Sequence, residues 1–549
     1  MSKSSGGKTF YRVFTALVLA FSLVVLVYFA VLMTGSVASR KTYSDPVVSS
    51  VLRRGTIYDR NGQILALDIP YLQVSANPRQ ITDPEGAAAV CAGLLGITTS
   101  DAYEKLSAGN AYQVLKRKID YSQKDRIVRT LKEAGLWGAV YIEEYEGRYY
   151  PSNFHASQIL GFTDTDGNGI EGIELAMDSV LSAVPELGKQ VSYGSDVYLT
   201  LDINLQYLCD SVIQDMCAEH DPDYAVLILM DAKSGDILAS VSYPWYNPNS
   251  YNLSTDDQRQ NKAFAFMYEP GSVFKVYSLA TCLEAGQADF DTPYTCTGTH
   301  NFVTASGRIL TISCHEAHGT LDYQGMIGKS CNGAIANWAL QTDDDLFYRG
   351  LRAFHFAGRY DVGLYNASGT LASPEDWSFR SKPTISFGQE MMATPLQLTA
   401  AATVFTNGGV LLSPRLVEKT VSPDGTETVN PNTDLGQVVS AETAAKVLEA
   451  MKTATQSGGT AIKTSVEGLE VAAKTGTAEI LNSATGAVTA STLAIFPADD
   501  PMYIIYIAAS NPKGSTIWGA NIAAPAIGSL IDAMVSAGRV PNTLYTVTQ

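Results

Sequence analysis

The sequence predicts an α+β protein held to a membrane by a single N-terminal transmembrane helix, and three observations carry that expectation. Val13 to Met33 is an uninterrupted run of 21 uncharged, mostly apolar residues. From Val197 onward, strand patterns stand at both ends of a long stretch whose middle reads as helical. The composition, 46% apolar and 17% charged with 22 prolines, is that of a folded chain. At 549 residues the chain is too long for one hydrophobic core, and two or three domains are expected. A net charge of -17 leaves nothing beyond the N-terminus to neutralise a phosphate backbone, which argues against nucleic acid as a partner.

As a helix rising ~1.5 Å per residue, the apolar run spans the ~30 Å hydrocarbon core of a bilayer. A cleaved signal peptide, with Ser36-Val-Ala38 as its small-residue site, is the rival reading, but such apolar segments usually hold ~7 to 15 residues. Lys3, Lys8 and Arg12 precede the run and Arg40 and Lys41 follow it, a slight bias that favours the N-terminus inside. The expected division of this end of the chain is a cytoplasmic tail over 1–12 and the anchor over 13–34.

Arg53 to Ala66 reads as two short strands about an Asn61-Gly62 turn, whose residues tolerate the positive φ of a tight hairpin. Val197 to Leu201 follows as a strand. Asp202 then caps a helix whose Leu205, Leu208, Val212, Ile213 and Met216 recur with period 3.6. Cys209 and Cys217 share that pattern and are expected to be small buried hydrophobes. Ala225 to Met230 and Asp236 to Val241 form a hairpin around Lys233-Ser-Gly235. Strands return at Leu469 to Ala473, Thr492 to Phe496 and Tyr503 to Ala508, and Ala523 to Met534 closes the domain as an apolar helix with Pro525 in its first turn. A sheet split in sequence, with helices inserted, implies an α+β sandwich plus a helical subdomain.

Within that frame three motifs occur in order: Ser272-Val-Phe-Lys275, Ser330-Cys-Asn332 and Lys474-Thr-Gly-Thr477. Their parts arise elsewhere by chance, as in Ser5-Gly-Gly-Lys8, Ser75-Ala-Asn77 and Ser250-Tyr-Asn252, so order and context carry the signal. Pro270 and Gly271 suit the opening of a helix, which puts Ser272 at a helix N-terminus with Lys275 on the same face. To serve as a base near neutral pH, Lys275 must fall from ~10.4 to roughly 7 or 8, by burial or by a second cation. Gly476 permits close backbone approach in the third motif.

This trio resembles the active site of a class B penicillin-binding protein, the single-pass membrane transpeptidase that cross-links peptidoglycan. Arg53 to Ala66, Gly147-Arg-Tyr-Tyr-Pro151 and Gly169-Ile-Glu-Gly-Ile-Glu174 resemble motifs of that family's N-terminal region. Tyr268-Glu-Pro-Gly271, Asn261-Lys-Ala263, Phe387-Gly-Gln-Glu390, Thr394-Pro-Leu-Gln397 and Gly459-Thr460 agree with it as well. The resemblance implies an extended α/β pedestal over 35–200 and a penicillin-binding transpeptidase domain, an antiparallel sheet flanked by helices, over 201–549. It implies Ser272 as nucleophile and Lys275 as base. Ser330 and Asn332 would serve proton relay and amide binding, while Lys474, Thr475, Gly476 and Thr477 would grip the carboxylate of a D-alanyl-D-alanine stem peptide. The oxyanion hole would be the backbone N–H groups of Ser272 and Thr477. No cofactor and no catalytic metal are implied. Implied partners are stem peptides, β-lactams, a separate polytopic glycosyltransferase and division or elongation proteins, with the catalytic domain outside a bacterial cell membrane. Gly169 to Glu174 leans toward the division or sporulation branch. A D,D-carboxypeptidase, a β-lactamase and a non-catalytic scaffold are the competing readings; length argues against the β-lactamase and the intact Ser272, Lys275 and Lys474 against the scaffold.

One cluster stands outside this account. Seven cysteines leave at least one unpaired, and Cys296, His300, Cys314, His315 and His318 fall between the first two motifs. Three readings stay open: a Cys296 to Cys314 disulfide, a bound metal, or free thiols packed near the cleft. Cys331, the middle residue of the second motif, adds a thiol that oxidation or a metal would engage.

Overall fold

The computed structural model describes residues 6–38, 51–186, 188–303, 307–480, 483 and 486–541. Lys3, Arg40 and Lys41, the charges expected to flank the anchor, lie outside them. Gly6–Ala38 is one helix, and within it Val13–Ala30 is long and apolar enough to cross a membrane. The side chains of Val13–Ala30 are exposed, Val25 only in part, as those of a lipid-facing helix are. The remaining elements that matter here belong to the compact unit formed by 52–184 and 193–549.

The expected hairpin forms. Ile57–Tyr58 pairs antiparallel with Ile64–Ala76 across a turn in which Gly62, at φ +78°, alone takes the left-handed conformation. Ile64–Ala76 then pairs with both Gln113–Asp120 and Val140–Tyr149. On the far side Ile57–Tyr58 runs parallel to Asp196–Leu199, which pairs with Val417–Val421. One seven-stranded sheet therefore joins residues near the N-terminus to a ribbon from far down the chain.

Arg54, Arg148 and Glu174, one from each of the three N-terminal motifs, meet beneath that sheet. Glu174 is fully buried and accepts from Arg54 Nε at 2.7 Å and from Arg148 Nε at 2.6 Å. Arg54 also reaches Asp178 at 2.6 Å, and Arg148 reaches Asp68 at 3.2 Å. Asp59 of the first motif is buried and accepts from the backbone N–H of Asn61, Gln63 and Ile203. It thereby ties the N-terminal hairpin to the start of the helix Ile203–His220, which Asp202 caps as expected.

The central sheet holds five antiparallel strands in the order Ala472–Glu479, Val488–Phe496, Tyr503–Ser510, Tyr224–Asp231, Ile237–Tyr243. Its middle strands are apolar and buried along nearly their whole length, the pattern of a sheet covered on both faces. Ile203–His220 and Ala523–Ser536 pack together and against this sheet, and Pro395–Ala401 packs on Tyr224–Asp231 and Tyr503–Ser510. Cys209 and Cys217 are buried on Ile203–His220 as expected.

Two expectations about local structure need correction. The strand placed over Leu469 to Ala473 begins at Ala472 and runs through Lys474-Thr-Gly-Thr477 to Glu479, because the Val466–Leu469 bridge turns the preceding residues away. Ser272 does not open an α-helix: Gly271–Phe274 is a 3-10 turn, and the α-helix starts at Lys275 and ends at Glu284. Pro270 and Gly271 allow the tight turn. The segment between the first two motifs also forms two small hairpins, Tyr294–Cys296 with Gly319–Leu321 and Thr299–Val303 with Ile309–Ser313.

Candidate active site

Gly271, at φ +58°, begins the turn that carries Ser272. A Cβ on Gly271 would lie 3.0 Å from Ala478 Cβ and 3.1 Å from Thr477 O, so glycine lets this turn sit directly on the edge strand of the third motif. Gly476 does the same from the other side, where a Cβ would meet Val273 Cγ2 at 2.7 Å and Pro270 O at 3.1 Å. The close approach expected at Gly476 is thus to the serine turn. Two glycines from distant motifs hold the Ser272 turn and the strand together.

Lys275 lies on the first turn of its helix and is fully buried. Its Nζ donates to Ser330 O at 2.6 Å and to Ser330 Oγ at 3.0 Å. Lys474, also fully buried, donates to the same hydroxyl at 3.0 Å and to Thr475 O at 2.9 Å. Ser330 offers both oxygens because it caps the helix Tyr323–Lys329 in the left-handed conformation, φ +57°, which a serine seldom adopts. A buried ammonium needs strong acceptors, and Ser330 supplies Lys275 with two of them.

Burial pushes the Lys275 amine down to about 8. Burial, with the charge of Lys275 close by, holds Lys474 well below the ordinary lysine range. Burial is the cause common to both, and the neighbouring ammonium adds to it at Lys474.

A cleft of about 510 Å³ opens beside these groups and is lined by Ser272, Ser330, Asn332 and Thr477. Asn332 begins the helix Asn332–Gln341, and its Nδ2 donates to Ser313 O at 3.0 Å. Thr477 Oγ1 accepts from Gly519 N at 3.1 Å, which places a segment near the C-terminus at the end of the cleft. Lys275, Lys474, Thr475 and Gly476 stand behind the wall and do not line the cleft. Sequence reasoning left out Arg380 and Thr384, which do line it. Phe387 and Gln389, also on the wall, belong to the quoted Phe387-Gly-Gln-Glu390, so a signal for them existed. Thr394-Pro-Leu-Gln397 has a local explanation: it is a capping box at the start of Pro395–Ala401.

The cysteine cluster resolves differently from the disulfide reading. All seven cysteines are free. Cys296 Sγ faces His318 Nδ1 at 3.3 Å, and Cys314 Sγ faces Cys331 Sγ at 3.7 Å, so the expected Cys296 to Cys314 bond is not formed. His300 turns aside to Tyr294, with 2.6 Å between its Nδ1 and the phenol oxygen, and His315 packs edge-on against Trp518.

Comparison with known proteins agrees with this architecture. The family model for the penicillin-binding protein transpeptidase domain matches residues 225–532, and that for the penicillin-binding protein dimerisation domain matches 50–191. Stage V sporulation protein D of Bacillus subtilis is 28% identical, over 89% of this chain and 79% of its own length. The probable peptidoglycan D,D-transpeptidase PenA of Neisseria meningitidis is 28% identical, over 86% of this chain and 82% of its own. The peptidoglycan D,D-transpeptidase FtsI of Escherichia coli is 25% identical, over 90% and 85% respectively. Among solved structures, penicillin binding protein 3 of Mycobacterium tuberculosis complexed with ampicillin superposes with a TM-score of 0.70 at 25% identity, covering 91% of this chain and 97% of that one.

Proposed function

The chain belongs to the penicillin-binding protein transpeptidase family, and we propose that it performs acyl transfer through Ser272. Its activity is peptidoglycan D,D-transpeptidation in cell wall synthesis. The observation that carries the mechanistic reading is the shared Ser330 hydroxyl, held by Lys275 and Lys474 beside a cleft that Ser272 lines. Ser272 Oγ attacks the carbonyl of the penultimate D-alanine, and its proton passes to the neutral amine of Lys275. The backbone N–H groups of Ser272 and Thr477 stabilise the oxyanion. The leaving D-alanine takes its proton through Ser330, and an amine of a neighbouring stem peptide then resolves the ester. Asn332 hydrogen-bonds the substrate amide.

Thr477 on the cleft wall binds the terminal carboxylate, and the charge of Lys474 with the Thr475 hydroxyl acts on it from behind that wall. That anion stabilises the charged form of Lys474, and the restored positive charge in turn disfavours protonation of Lys275. Substrate binding and base activation are coupled in this way through one hydroxyl. Gly476 contributes the contact with the serine turn rather than a ligand contact.

The N-terminal helix fits a single-pass membrane anchor. We assign 1–12 to the cytoplasm, 13–34 to the bilayer, 35–200 to a pedestal and 201–549 to the transpeptidase domain outside the membrane. The family relationship supports β-lactams and stem peptides as ligands. A separate polytopic glycosyltransferase and division or elongation proteins are its proposed partners. Labelled penicillin followed by peptide mass spectrometry tests the assignment. The adduct is expected on Ser272 and absent from Ser272→Ala; an adduct on another residue overturns it.

A further inference from the structure

We propose that Cys296, Cys314, His318 and Cys331 form a tetrahedral zinc site directly behind the second motif. Their ligand atoms all lie within 4.8 Å of one another. With Zn–S near 2.3 Å, the edge between two sulfurs of a tetrahedral site is about 3.8 Å, and with Zn–N near 2.0 to 2.1 Å the sulfur to nitrogen edge is about 3.6 Å. The observed 3.7 Å between Cys314 and Cys331 and 3.3 Å between Cys296 and His318 fit those edges. The distance between Cys314 and Cys331 does not fit a covalent bond between sulfurs, which requires about 2.05 Å.

The chain brings these atoms together from two structures. Cys296 ends the strand Tyr294–Cys296, and His318 immediately precedes its partner Gly319–Leu321. Cys314 follows the strand Ile309–Ser313, and its N–H donates to Gly298 O at 2.8 Å. Cys331 comes from the other side, as the residue before the helix Asn332–Gln341. Cys296 and Cys331 are buried, at 2% and 0% exposure, and three thiols with one imidazole are the donor set that soft-ligand tetrahedral zinc takes.

Cys331 stands immediately before the helix Asn332–Gln341, and the unpaired N–H groups at a helix start favour negative charge beside them. Bonding three thiolates to one cation releases the thiol protons and offsets the cost of burying anionic sulfur. Because Cys331 adjoins Ser330, the metal pins the left-handed Ser330 that receives both lysines. Cys314 and His318 also line the cleft, and together with Cys296 and Cys331 they act as positioning residues for that hydroxyl.

The test uses the full-length chain in detergent, purified without chelator. Stoichiometric zinc is expected by elemental analysis, with X-ray absorption showing three sulfurs near 2.3 Å and one nitrogen near 2.0 to 2.1 Å. Cys296→Ser and His318→Ala are expected to lose the metal, and the pH dependence of penicillin acylation should shift in His318→Ala. Since these variants can also misfold, the wild-type protein provides an independent measurement: stripped of metal and given cobalt(II), it should develop thiolate-to-cobalt charge-transfer absorption and tetrahedral d–d bands. A wild-type protein that binds neither zinc nor cobalt overturns the proposal. So does a Cys314 to Cys331 disulfide in non-reduced peptide maps of the chain as purified. Metal content does not depend on acylation of Ser272, so failure of this site and failure of the serine assignment are separately visible.

Discussion

Lys275 and Lys474, 199 positions apart in the chain, donate to the same oxygen, Ser330 Oγ, each at 3.0 Å. Removing that oxygen leaves two buried amines to repel each other with no shared acceptor. Ser330→Ala should slow penicillin acylation by roughly 10² to 10⁴, the range general acid–base groups contribute. Stopped-flow labelling, with a thermal melt to show that the fold survives, checks this. A rate within a few-fold of wild type would remove Ser330 from the proton path.

The Lys275 amine, lowered by burial to about 8, must be neutral to accept a proton. Below that pH the base is protonated, so the acylation rate should fall about tenfold per pH unit and level off above about 8. A pH profile of labelling by a non-titrating penicillin measures the limb. Lys275→Ala should abolish the limb together with most of the rate.

Glu174 joins Arg54 and Arg148 in a buried network, at 2.7 and 2.6 Å. Glu174→Ala leaves Arg54 only Asp178 and Arg148 only Asp68 as ion partners, and should cost about 3 kcal/mol of stability. Chemical denaturation reads that loss. Below the lowered transition the variant should still take up penicillin, because the network lies in the N-terminal region and not at the cleft; parallel loss of labelling at low temperature would argue that it supports the site directly.

A methyl group on Gly476 would sit 2.7 Å from Val273 Cγ2 and 2.8 Å from Ser491 Oγ. Gly476→Ala should therefore push the strand from the serine turn, at a cost of about 1 to 3 kcal/mol in stability. Acylation should slow more than the melting temperature suggests, since Ser272 and Thr477 separate. Equal activity would show that the turn and the strand move together.

Much was legible in the linear chain. Short-range physics sets the cap of Asp202 on Ile203–His220, the Gly62 turn, the apolar strands from Tyr224 to Tyr243 and the order of the three motifs, and each of these is written in neighbouring residues. Periodicity and capping act over a turn or two, so a sequence displays them. The motif strand starts three residues later than the pattern predicts, because the bridge between Val466 and Leu469 delays pairing, and it runs six residues further. The convergence of Lys275, Ser330 and Lys474 was legible as family likeness, but not its geometry. Whether Lys275 addresses Ser272 or Ser330 depends on a 3-10 turn and on a left-handed serine, both imposed by packing among distant segments. The same holds for sulfur: spacing suggested pairing Cys296 with Cys314, whereas the fold sets Cys296 against His318 and Cys314 against Cys331. Contacts of this kind are decided by how separate elements stack, and a list of residues in order carries no distance between them.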